Sequence, residues 1–326
     1  YIMNIFNKLA LFSVLVMPTV GLQAQTTEWE LVWSDEFDYN GVPDPQKWSF
    51  DTSGNNWNWG NDEAQNYTTS KDGNAWVEDG KLVIEARKED YYWAGDGETK
   101  NYTSARLITR YKGDWLYGKI EVRAKLPRGV GIWPAIWMMP TDDVYGGWPK
   151  SGEIDIMEYV GFDKGNVHAN VHHTSTNPDK RSEGQGATKS VYSPYSVYHT
   201  YGLIWTEDKM EFQVNGNTYM TYKNEGKGHI TWPFDQRFHL ILNVAVGGTW
   251  GGQQGIDDAI FPQKMLVDYV RVYKAVPVDT SVETVHSQEV QKEIYSLNGT
   301  SVSSVNSDGL YLVREGDSFT ARYIRR

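Results

Sequence analysis

From residue 26 to about residue 275 the chain has almost no stretch with a helical period. It strings short β-patterned segments between turn signals. KLVIEARK (81–88), YGKIEVRAKL (117–126), NVHANVHHT (166–174), KMEFQV (209–214), RFHLILNVAV (237–246) and MLVDYVRVY (265–273) alternate apolar and polar residues or are rich in β-branched ones. Asn215-Gly216 falls between KMEFQV and NTYMTY, a strong hairpin signal. Many short strands without βαβ spacing predict an all-β domain of two packed antiparallel sheets, not a parallel sheet.

The ends read differently. Lys8 followed by the mainly apolar Leu9 to Met17, broken by Pro18 and Gly21, reads as an export signal over residues 1–24, with Met3 as its start and Ala24-Gln25 as the cleavage point. The run is too short for the ~20 apolar residues of a membrane span, so an exported protein without membrane insertion is expected. A chain with no cysteine has no disulfide to staple it, and its core must carry the stability. A net charge of −11 argues against nucleic acid as a partner. After the 26–275 domain, residues 276–290 are polar and aperiodic and read as a linker. Residues 291–326 hold a second Asn-Gly hairpin (Asn298-Gly299) and a strand at Leu310 to Arg314, and are too few to bury much. A monomer is expected.

The chemistry concentrates in GEIDIMEYVG (152–161), where Glu153, Asp155 and Glu158 interrupt an apolar run. A helix would set Glu153 and Glu158 roughly 140° apart, so they would share no face. On a regular strand Glu153 and Asp155 point one way and Glu158 the other, unless one residue is bulged out. A bulge around Ile156-Met157 puts all three on one face. The outer Cα atoms then lie roughly 13 Å apart. Two glutamates leaning together can approach the ~5 to 5.5 Å carboxyl separation of a retaining glycosidase. Asp155 between them can orient the nucleophile and shape both titrations. The competing readings are a solvated strand edge and a calcium cluster. Ile154, Ile156 and Met157 on the opposite face, and Trp133, Trp137 and Trp148 just upstream, favour a cleft. The 14 Trp and 21 Tyr of this polar chain suit sugar-stacking platforms as well as an aromatic-rich core.

In this setting GEIDIMEYVG resembles the signature of glycoside hydrolase family 16 in its laminarinase-like, bulged form. WSDEFD (33–38), WNWGNDEAQNYT (57–68), GIWPAIWMMP (131–140), WPKSGEIDIMEYVG (148–161), YHTYGLIWTEDKMEFQVNG (198–216), LILNVAVGGTWGG (240–252) and MLVDYVRVY (265–273) resemble that family's blocks in order. The resemblance implies a jelly-roll β-sandwich of two curved antiparallel sheets with a concave substrate groove. It implies a retaining endo-β-glucanase acting on laminarin-like or mixed-linkage glucan. A galactan hydrolase, a transglycosylase and a non-catalytic glucan-binding module are the alternatives. The intact glutamate pair favours an enzyme.

By the same resemblance Glu153 is the nucleophile, Glu158 the acid/base and Asp155 the assisting carboxylate. Trp148 and Trp133 are stacking surfaces with Trp137 behind them, Asn61 and Arg87 donate to sugar hydroxyls on the non-reducing side, and His172 lies near the acid/base. Trp137 and Arg87 read equally well as core and strand-pair residues. Glu63 either supports Asn61 or caps a turn. No cofactor is expected for catalysis, because His168 and His172, ~13 Å apart on a strand, cannot share a metal ion. A structural calcium is implied at Glu36, Gly80 and Asp268, against an ion pair of Asp268 with Arg271 or Arg123. The tail is similar to C-terminal sorting domains of type IX secretion, which implies a secreted, cell-surface or periplasmic protein of a Gram-negative bacterium.

Overall fold

The structure is a computed structural model, and it describes residues 28–177, 179–276, 293–302, 305, 307–315 and 318–324. The expected export signal and most of the expected linker lie outside these residues. The chain divides into two compact units at Val276/Pro277. Among the described residues no helix is long and apolar enough to cross a membrane.

The first unit is a sandwich of a ten-stranded and an eight-stranded sheet. Its ladders are antiparallel except for the short pairing of Asn66–Tyr67 with Thr103–Ser104. Six strands of the eight-stranded sheet build the site: β1 (Arg106–Ile108), β2 (Ile132–Pro140), β3 (Glu153–Glu158), β4 (Asn166–His173), β5 (Glu183–Ser190) and β6 (Phe238–Val246). They lie side by side in the order β5-β4-β3-β2-β6-β1. β4 alternates between half-buried and buried residues along its length, as a strand with one face on the core must. The core face of this sheet contributes Ile154, Ile156, Met157, Val167, Val171, Leu240 and Leu242. These pack in one cluster with Ile120, Val122, Tyr201, Leu203 and Trp205 of the other sheet.

The expected hairpin at Asn215-Gly216 joins Lys209–Val214 to Asn217–Lys223. Both turn residues have positive φ, 51° and 76°, which is what a two-residue primed turn demands and why Asn-Gly stands there.

The expected bulge is present in β3. Against β4, Glu153 faces His172 and Asp155 faces Asn170, but Glu158 faces His168, so three steps on β3 span two on β4. Against β2, Trp137 faces Asp155 while Ile136 faces Met157, and Ile156 is passed over. All three acids therefore oppose even-spaced positions of β4 and share its groove face.

Just past the motif, Gly161 donates its backbone N–H to Ile132 O at 2.9 Å. A Cβ there would lie 1.7 Å from the Gly129 carbonyl oxygen, so the backbone would have to move. Gly161→Ala should cost roughly 3 kcal/mol of stability, read from urea unfolding. A loss under about 0.5 kcal/mol, the range of a neutral surface change, would mean that the contact relaxes freely.

The second unit carries a four-stranded antiparallel sheet in the order Ser301–Val302, Glu293–Tyr295, Gly309–Glu315, Ser318–Ile324. Gly299, in the expected Asn298-Gly299 turn, has φ 85°.

Candidate active site

The face of the eight-stranded sheet turned away from the core forms a groove of about 930 Å³. Glu153 and Glu158 both open into it. Each takes a hydrogen bond from an indole. Trp148 Nε1 donates to Glu153 Oε2 at 2.6 Å, and Trp133 Nε1 donates to Glu158 Oε1 at 3.0 Å. The two tryptophans thus orient the acids as well as offering ring surface. Between them Asp155 is 2 % exposed.

Burial pushes the Glu158 carboxyl well above the usual glutamate range, and the negative charges of Asp155 and Glu153 push it further. The Trp133 N–H opposes this in part. Asp155 is likewise pushed well up, by burial, then by the charge of Glu153 and a hydrogen bond to it. Glu158 and Asp155 therefore hold protons where ordinary carboxylic acids have lost them.

His172 lies opposite Glu153 in the ladder and within electrostatic reach of Glu158: its Nε2 is 3.4 Å from Asp155 Oδ2 and 3.8 Å from Glu153 Oε1. The imidazole facing Glu158 across the ladder is that of His168, which pairs with Asp163 at 3.1 Å and with Thr188 at 3.0 Å. The extra residue of the bulge sets this register. Donor atoms of Glu153, Asp155 and His172 all lie within 4.8 Å of one another. Trp148 already donates to Glu153, and Asn170 Nδ2 stands 3.0 Å from His172 Nε2, while Asp155 Oδ2 has no hydrogen-bond partner. The three groups are close enough to share protons.

Trp137 lines the groove and donates from Nε1 to Asn243 at 2.7 Å. The Arg106 guanidinium lies 4.7 Å from its ring and 4.5 Å from that of Trp59, and is held by Asp51 at 3.1 Å. Asn61 is in the groove wall and donates to Glu63 at 3.4 Å. Glu63 is buried and also accepts from Gln65 at 2.7 Å, so it supports Asn61 and does not merely cap a turn. Burial raises the Glu63 carboxyl above its usual value.

Arg87 is a correction. It lies on the long strand Lys81–Trp93 of the other sheet, where it pairs with Glu85 and donates to the carbonyls of Asp72 and Gly73. It opens onto a separate hollow beside Lys88 and Asp258. It is a strand-pair residue, and the groove's arginines are Arg106, Arg110 and Arg181. Arg181 lies 4.5 Å from the Trp148 ring and donates to the Gly60 carbonyl at 3.3 Å. Trp59 and Trp250, which also line the groove, lie in the family-like stretches 57–68 and 240–252, where nothing local distinguishes them from the neighbouring aromatics and glycines. Arg106 carried no sequence signal of its own.

At the implied calcium residues the Lys81 ammonium bridges the Asp268 carboxylate at 2.9 Å and the Gly80 carbonyl at 3.2 Å, and Asp268 also pairs with Arg123. The Glu36 carboxylate is paired with Arg271 at 2.8 Å. A calcium ion held by the Asp268 carboxylate and backbone carbonyls would have to displace Lys81.

A β-sandwich whose groove floor carries two indole-bound glutamates flanking a buried aspartate defines a carbohydrate-active hydrolase. Residues 61–271 match the model of glycosyl hydrolases family 16, and the chain belongs to that family. It is 48% identical over 258 residues to a beta-glucanase of Rhodothermus marinus, covering 76% of this chain and 86% of that one. It is 40% identical over 242 residues to a glucan endo-1,3-beta-glucosidase of Cryptopygus antarcticus, covering 70% and 84%. Among solved structures it is similar, with TM-score 0.71 and 46% identity over 77% of this chain and all of the other, to a mutant of a non-specific endo-beta-1,3(4)-glucanase co-crystallized with a glucan oligosaccharide. The jelly roll expected from the sequence is the fold found, and the chain is a glycoside hydrolase.

Proposed function

We propose that the protein is a secreted endo-β-glucanase that cleaves β-1,3 linkages in laminarin-like or mixed-linkage glucan with retention at the anomeric carbon. The observation that carries this is the bulge in β3, which turns Glu153 and Glu158 to one groove face while burial keeps the proton on Glu158. The substrate class rests on the relatives' activities, and export on the signal-like N-terminus.

The Glu153 carboxylate attacks the anomeric carbon as Glu158 passes its proton to the departing glycosidic oxygen, leaving a glycosyl ester on Glu153. Esterification removes one of the charges that pushed Glu158 up. Glu158, now a carboxylate, takes a proton from water as that water attacks the anomeric carbon and frees Glu153. Protonated Asp155 donates a hydrogen bond to Glu153 and steadies it. Thin-layer chromatography of digests of laminarin, lichenan, agarose and xyloglucan tests the substrate. Oligosaccharide ladders from the first two support the reading, and products from agarose or xyloglucan alone would overturn it.

Trp133→Phe keeps a ring for the sugar face but deletes the N–H that stabilises charged Glu158. Its loss lets the Glu158 carboxyl rise further, so the alkaline limb of the kcat/KM profile should move to higher pH. An unmoved or acid-shifted limb would contradict the assignment of that limb to Glu158.

A further inference from the structure

His172 stands beside the nucleophile, and its protonation is set by the residue behind it. Asn170 Oδ1 accepts the Val171 N–H at 3.0 Å. Turning that amide over would set two N–H groups against each other. Asn170 Nδ2 therefore faces His172 Nε2 at 3.0 Å. An amide nitrogen only donates, so Nε2 is the bare, accepting nitrogen. The ring proton belongs on Nδ1, 3.2 Å from Ser182 Oγ. An imidazolium would carry N–H on both nitrogens and oppose Asn170.

On its far side Nε2 is 3.4 Å from Asp155 Oδ2, a buried oxygen with no other hydrogen-bond partner. The hydrogen bond of Asp155 to Glu153 therefore runs from its other oxygen, and a neutral imidazole leaves no cation beside Oδ2 to draw that proton off. The charged groups facing His172 are Glu153 and Asp155 from β3, with Glu158 further along, and Arg181, which precedes Ser182 and covers Trp148. Among these neighbours it is the Asn170 amide whose geometry fixes which ring nitrogen is bare.

We propose that Asn170 is a positioning residue for the reaction: by donating to Nε2 it holds His172 neutral with its proton on Nδ1, and so keeps on Asp155 the proton that steadies Glu153. The consequence for rate rests on the retaining reading above, whereas the state of His172 stands or falls without substrate.

The test is a long-range ¹H–¹⁵N spectrum of the ¹⁵N-histidine-labelled protein at pH 7, with His172 assigned by its loss in His172→Gln. A bare Nε2 and a protonated Nδ1 are expected, and a proton on Nε2 would overturn the proposal. Asn170→Asp keeps the oxygen for Val171 N–H but turns the donor to Nε2 into an acceptor, which favours the imidazolium. That charge would draw on Glu153, so kcat/KM on laminarin should fall at least about tenfold at pH 6 and recover as pH rises. The double variant Asn170→Asp/His172→Gln should lose the alkaline recovery. A pH profile of Asn170→Asp superimposable on the parent's would refute the role. Should that variant fail to fold, the spectrum of the unaltered protein still decides.

Discussion

Glu153→Gln should lower kcat on laminarin by roughly 10⁴-fold or more, because the amide cannot form the glycosyl ester on which the second step depends. Folding should be retained. The Gln oxygen can still accept the Trp148 N–H, and loss of the charge relieves one cause of the Asp155 shift. Oligosaccharide affinity should hold within a few-fold, since the groove walls are untouched. Truncation sharpens the test. In Glu153→Ala, added azide can take the nucleophile's place on an activated glucosyl donor, and one displacement from that face gives the α-glycosyl azide. Retained turnover in Glu153→Gln, or a β-azide from Glu153→Ala, would remove the nucleophile assignment.

Glu158→Gln should lower kcat/KM on laminarin by about 10²- to 10⁴-fold, the usual worth of a positioned general acid. Aryl glucosides whose leaving group departs without a proton should keep their glycosylation rate, which a merely structural lesion would not allow. The alkaline limb should vanish. In the parent the proton needed for the first step is lost as pH rises through the raised Glu158 value, and Gln has no proton to lose. Stability follows the same sign. A carboxyl raised in the folded state contributes fully below its unfolded value near 4.3, and that contribution is lost as pH rises through the folded value. Glu158→Gln should therefore unfold at equal or higher denaturant than the parent at neutral pH. A variant equally slow on glucan and on activated aryl glucoside would contradict the acid/base role.

Much of this was legible in the residues because it depends on parity. Glu153 and Asp155 two apart, and Glu158 at an odd offset, allow a shared face only with one residue bulged out, and β3 has that bulge. Asn215-Gly216 fixed its hairpin for the same local reason. What could not be read was pairing between distant strands. Arg87 and Arg106 are both strand arginines, and only the sheet order places one on the groove floor and the other on the opposite layer. His168 and His172 both face the groove, and the bulge decides which meets Glu158. Asp268 gave no sign that Lys81, nearly 190 positions upstream, would reach it.

One extra residue in β3 turns two glutamates to a single groove face, and their proposed opposite roles on one glycosidic bond require retention. The most direct measurement is ¹H NMR of the anomeric protons during the first minutes of laminari-oligosaccharide cleavage, before the new reducing end mutarotates. The β-anomer should form first and decay toward the equilibrium mixture. An α-anomer formed first would mean direct displacement by water, and would contradict retention.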